Sequence, residues 1–158
     1  MQLDSINIKQ SGSSLIEVMI ALFVLAIGLL GVLAMQVNAI KLNQNSYLYS
    51  QAAMLVNDIH EAMRANTTQT NSYALNFSEA TPTLPSCTTA GTDCSSAQIR
   101  DWNLNQWRTN VESLLPGGES EIAMVPPSEF VIRVRFQIDI DESTGDAITD
   151  QVELRSGF

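Results

Sequence analysis

Cations are scarce in this chain. It has 8 Lys+Arg against 17 Asp+Glu, a net charge of −9 over 158 residues, and no Lys/Arg run. Phosphate-backbone binding needs clustered positive side chains, which argues against nucleic acid as a direct partner. The same shortage leaves no polybasic patch for an anionic membrane surface. Histidine is rarer still, with His60 alone. That histidine and two distant cysteines, Cys87 and Cys94, are too few ligands for a metal site. His60 reads as a surface residue of a helix. No Ser/His/Asp arrangement with recognisable context and no phosphate-cradling glycine loop occurs, so neither an enzyme nor a cofactor is indicated. Proline is absent before Pro82, so nothing obliges a helix to break in the first half of the chain.

Apolar side chains are abundant, and they are concentrated. Val18 to Met35 is a run of 18 residues with no charge and no side-chain hydrogen-bonding group. With Leu15 and Ile16 it reaches the roughly 20 residues that a bilayer-spanning helix requires. Glu17 interrupts its leading end, where a carboxylate carries an insertion cost and so calls for a reason. Helical spacing then continues through Val37, Ile40, Leu48, Ala52, Leu55, Ile59 and Met63, with Asp58, Glu61 and Arg64 off the stripe. The pattern predicts one helix from Ser13 to about Ala65, roughly 80 Å long at 1.5 Å per residue. Its first half is apolar all round and its second half amphipathic. Three readings compete for this segment. A secretory signal peptide could be cleaved at Val37-Asn38-Ala39, but the apolar region exceeds the usual ~7–15 residues, and only Lys9, beside Asp4, precedes it. A plain single-pass anchor accounts for the length and leaves Glu17 unexplained.

The third reading rests on Lys9-Gln10-Ser11-Gly12-Ser13-Ser14-Leu15-Ile16-Glu17 and the apolar helix behind it. This stretch resembles the type IV prepilin signal. Gly12 takes the place of the family's last leader residue, Ser13 that of its first mature residue, and Glu17 that of its glutamate. Ser13-Ser14 departs from the usual Phe-Thr, which bears on methylation or cleavage efficiency more than on the assignment. The resemblance implies cleavage by a prepilin peptidase between Gly12 and Ser13 and N-methylation at Ser13. The Ser13 amine of one subunit would then compensate the Glu17 carboxylate of another inside an apolar bundle, setting axial register. Gly28 and Gly31 permit close helix packing and look like the corresponding segment of PilV-type pilus modification proteins.

Thr67 to Ser96 is rich in Thr, Ser, Asn and Pro and reads as loop, with a short ordered piece around Tyr73–Phe77. If the anchor places it in the periplasm, Cys87 and Cys94 are expected to be disulfide-bonded. Ser95 or Ser96 can cap a second helix to about Leu115, burying Leu104, Trp107, Val111 and Leu114, and Pro116-Gly117-Gly118 stops it. Trp102 and Trp107 read as core packing rather than as a ligand-stacking pair. A strand is expected at Ile122–Val125. A longer one has Phe130, Ile132, Val134, Phe136, Ile138 and Ile140 on its inner face. An acidic hairpin tip over Asp141–Asp146, without EF-hand spacing, leads into a strand at Ala147–Arg155.

Cys94 to Gly118 again resembles the PilV-type family, with Cys, Asp, Trp and Leu-Pro-Gly-Gly in the family's order. The resemblance implies an α+β pilin-like roll with a long N-terminal helix packed on a small antiparallel sheet. The expected organisation is a leader at 1–12, a transmembrane half-helix at 13–37, an amphipathic half at 38–65 and a periplasmic globular domain at 66–158. The implied role is a minor pilin that primes or modifies a type IV pilus, supporting twitching motility and attachment. Its implied partners are the prepilin peptidase, other minor pilins, the major pilin and the inner membrane. It would sit in the inner membrane first and at the cell surface after assembly. Two alternatives remain at this point: a type II secretion minor pseudopilin, and a membrane-anchored periplasmic binding module.

Overall fold

In the computed structural model, residues 14–87, 93–126 and 129–157 are described. The chain divides into two compact units, Met1–Asn43 and Gln44–Phe158. Each is taken by itself.

In the first unit the described residues form one helix. It is the leading part of α1, which runs Leu15–Ala65. Its apolar side chains are all open, from 48 % exposed at Val32 to 79 % at Leu15. Apolar surface left uncovered over such a length is the mark of a segment whose solvent is not water.

The second unit is built on an amphipathic stripe. Ala52, Leu55, Val56, Ile59 and Met63 of α1 are buried, with Leu48 packed alongside. A 3₁₀ turn at Thr67–Ser72 follows. Then comes α2, Ser96–Leu114, opened by a capping box in which Ser95 accepts from the Gln98 backbone and Gln98 accepts from the Ser95 backbone. That exchange satisfies two of the orphan donors at the helix start. Three strands complete the unit: β1 Glu119–Val125, β2 Glu129–Ile140 and β3 Ala147–Gly157. They form an antiparallel meander in the order β1-β2-β3. Period-two alternation buries Phe130, Ile132, Val134 and Phe136 against α1 and α2 in one core with Ile122, Leu104, Trp107 and Val111. The other face carries charge. Arg133 bridges Glu121 at 2.6 Å and Glu153 at 2.8 Å, and Arg135 meets Glu119 at 3.1 Å.

Several expectations are corrected. Leu114 lies 52 % exposed and Leu115 is buried in its place. Leu115 has left helical dihedrals (φ −117, ψ 130), which turns its side chain inward while its N–H still reaches the Val111 carbonyl. Gly117 has φ +56, and a Cβ on Gly118 would meet the Val111 carbonyl oxygen at 2.2 Å. Both glycines are therefore required by the path of the chain here. Ile140 is exposed rather than inward, because the β2–β3 register slips between Gln137 and Asp139 and the strand runs on past the core. Trp102 is 42 % exposed, not a core residue. His60 is no surface residue: its side chain is only 15 % exposed and its Nε2 lies 2.9 Å from Ser156 Oγ on β3.

Candidate functional site

Gly12 and Ser13 lie outside the described residues. Glu17 stands in the first turn of α1, where its backbone N–H donates to the Ser14 carbonyl at 2.9 Å. A carboxylate is favoured there because the aligned peptide dipoles leave partial positive charge at a helix start. Behind it the helix contains an 18-residue window of mean hydropathy 2.9, none of it buried, which is long and apolar enough to cross a membrane. Placed in hydrocarbon, that helix satisfies all its interior backbone groups by itself. The arrangement is a lipid-compatible rod with one acid at its head, suited to bundling with similar helices.

The second unit is fastened by contacts that composition did not reveal. Arg108 is buried, 3 % exposed. Its Nη2 donates to the carbonyls of Asn76 (2.7 Å) and Ser120 (2.8 Å), its Nε to Ser120 Oγ (3.3 Å), and its Nη1 to the carbonyl of Glu79. One guanidinium thus pins the loop over 76–79 to the start of β1. Burial pushes its pKa down from the ordinary value, opposed by Glu112, Glu79 and Glu119. The signal was present in the sequence: Arg108 falls four residues after Leu104 and three before Val111, within the buried stripe. Tyr73, fully buried, accepts from Asn103 Nδ2 at 2.8 Å, and Asn66 Nδ2 reaches the Ser96 carbonyl at 2.8 Å. Trp107 Nε1 donates to the Leu55 carbonyl at 2.9 Å, joining α2 to α1.

Cys87 and Cys94 are joined by a disulfide, with Cα atoms 5.4 Å apart. Closing so short a loop contributes about 2–3 kcal/mol on the loop-entropy account. Thiol alkylation is expected to label neither cysteine before reduction and both after it. Two freely reactive thiols in protein from an oxidising compartment would contradict this.

On α1, the Tyr49 hydroxyl donates to Asp150 Oδ2 of β3, and its ring meets Phe136 edge-on at 5.3 Å. The Tyr49 hydrogen bond, then that of the Gln151 N–H, holds the Asp150 carboxyl below its usual range, while the same bond raises the Tyr49 phenol. A depressed acid contributes stability above its unfolded pKa, near 4, and loses it as pH falls through the lower folded value. A raised phenol contributes below about 10 and loses it as pH rises through the higher folded value. Tyr49→Phe is therefore expected to melt lower than the parent at pH 7, with the gap narrowing toward pH 3. Melting curves at the two pH values check this, and an equal gap at both would contradict it.

A family model described as Type IV pilin Tt1218 matches residues 34–104. A model of the prokaryotic N-terminal methylation motif matches residues 7–33, so the two together run without a gap from residue 7 to residue 104. The chain belongs to the type IV pilins. Its structure is the α+β pilin fold, a long N-terminal apolar helix with a small antiparallel sheet. The pilin carries the prepilin-type signal, which entails processing by the prepilin peptidase, membrane anchoring through the apolar helix, and assembly with other pilins. Pilins of this kind are structural subunits. No curated protein and no solved structure matches this pilin.

Proposed function

We propose that this pilin is a minor subunit of a type IV pilus, cleaved between Gly12 and Ser13 and methylated at Ser13. The observation that carries the reading is α1: one helix whose leading part is apolar all round, headed by Glu17 in its first turn. An acid there is costly in an apolar bundle unless a cation meets it. The Ser13 amine of a neighbouring subunit, freed by cleavage, is that cation. In this reading 1–12 is the leader, 13–37 spans the inner membrane, 38–65 is the amphipathic half of the helix, and 66–158 is periplasmic until assembly. Minor rather than major status is supported by the likeness of Cys94–Gly118 and of the Gly28/Gly31 helix to PilV-type proteins. A subunit that primes or modifies a fibre needs a few specific contacts rather than a repeating lattice.

The test is quantitative mass spectrometry of sheared pili, paired with deletion of the gene. The chain is expected far below the main subunit in abundance, and its loss is expected to reduce surface pili and twitching. If it proves the most abundant protein of the fibre, the minor assignment falls.

A further inference from the structure

Within the second unit a groove of about 190 Å³ runs between α1 and α2. Leu55, Ile59 and Ala62 of α1 and Trp102 of α2 supply its apolar surface, and Asp58, Gln106 and Asn110 its polar groups. Two features set it apart. Trp102 is a large aromatic ring left 42 % exposed beside a well-filled core. Asp58 is exposed, and among the described residues its carboxylate takes part in no ion pair.

We propose that this groove receives an arginine of a different pilin subunit, a proposal that rests on the pilin reading above. The chemistry selects the side chain. A guanidinium stacks on an indole face and forms a two-pronged pair with a carboxylate, while its methylenes lie on apolar surface. Trp102, Asp58 and the Ala62 surface, with buried Leu55 and Ile59 as the floor beneath, provide those three contacts in one place. Lysine, a strongly hydrated point charge, would not use the indole plane in the same way. Charge points to another chain as the source. No lysine follows Lys41. Every arginine beyond residue 43 already has a partner in its own fold: Arg64 with Glu61, Arg100 with Asp101, Arg108 with backbone carbonyls, Arg133 and Arg155 with Glu153, Arg135 with Glu119. A second copy would thus offer only arginines already engaged in its own fold beyond residue 43, whereas a basic partner would also be steered toward a chain of net charge −9.

The test places photoreactive benzoylphenylalanine at Asn110, at the groove but clear of Asp58 and Trp102, in the full chain in its own cells. Illumination is expected to join it to another pilin subunit. The yield should fall at least tenfold with Asp58→Asn or Trp102→Ala, return with Asp58→Glu, and stay unchanged with Glu112→Gln, which lies outside the groove. Replacing the arginine nearest the cross-linked residue of the partner by glutamine should abolish the product. Melting temperatures of the purified variants separate docking from folding. The proposal is overturned by the absence of a product, by a product with a second copy of this chain, or by a yield indifferent to Asp58→Asn. Sheared filaments from the same cells are scored for the chain. Its presence there without the cross-link sinks the docking site alone, and its absence from filaments sinks the pilin reading with it.

Discussion

Arg108→Met is expected to lower the stability of the unit from Gln44 onward by about 3–4 kcal/mol, the largest effect of any single side chain outside the apolar core. Methionine fills similar space, so packing is nearly conserved and the loss falls on hydrogen bonding. Hydrogen bonds to a charged group contribute roughly 1.5–3 kcal/mol each, and an acceptor stranded in the interior costs about 1–3 kcal/mol. Arg108 serves the carbonyls of Asn76, Glu79 and Ser120 together, and those acceptors would be left without it. Arg108→Lys should recover only part of the loss, because one ammonium cannot reproduce a planar fork. Denaturant unfolding of the full chain in detergent, followed by the fluorescence of buried Trp107, measures both. Equal midpoints for parent and Arg108→Met would show that the clamp contributes nothing.

Glu17→Ala is expected to leave insertion and cleavage intact and to reduce recovery of the chain in sheared filaments at least tenfold. In the membrane a carboxylate in an apolar helix is a burden of up to about 2.5–3.5 kcal/mol at the bilayer centre, less near the interface, so its removal cannot harm anchoring. On the proposed reading, the same carboxylate answers the amine of the next subunit in a bundle. Removing it strands that amine, and about 1.4 kcal/mol already corresponds to a tenfold change. Comparing the variant in membrane and filament fractions separates the two roles. Incorporation at the parental level would contradict amine–carboxylate pairing as the source of register.

Much of this was legible in the sequence because it follows from periodicity. The α1 stripe at Ala52, Leu55, Ile59 and Met63, the Ser95 cap, and the alternation of β2 each repeat a local rule over several turns or pairs. The structure honours them. The proposed site rests on a different signal, a carboxylate at the head of an apolar run, which falls in the first turn of α1. The remainder depended on contacts between distant segments. Arg108 sits where a helical stripe calls for an apolar residue, and only the loop at 76–79 and β1, brought to it by the fold, show why a charge is tolerated there. His60 read as solvent-facing on its own helix, and β3, about 100 residues later, reaches it and also bonds Tyr49 of the same helix. Trp102 was expected inside because aromatic rings usually are. It stays half open because α2 turns Leu104, Trp107 and Val111 toward the core, leaving Trp102 on the side of the helix away from them.

The central claim, that this chain is processed as a prepilin and built into a fibre, is tested most directly at its N-terminus. Intact-mass analysis and N-terminal sequencing of the chain recovered from sheared filaments should give a polypeptide that begins Ser13-Ser14-Leu15-Ile16-Glu17, with a methyl group on the Ser13 amine. Recovery of the chain only from membranes, with Met1 retained or with cleavage after Ala39, would contradict the account.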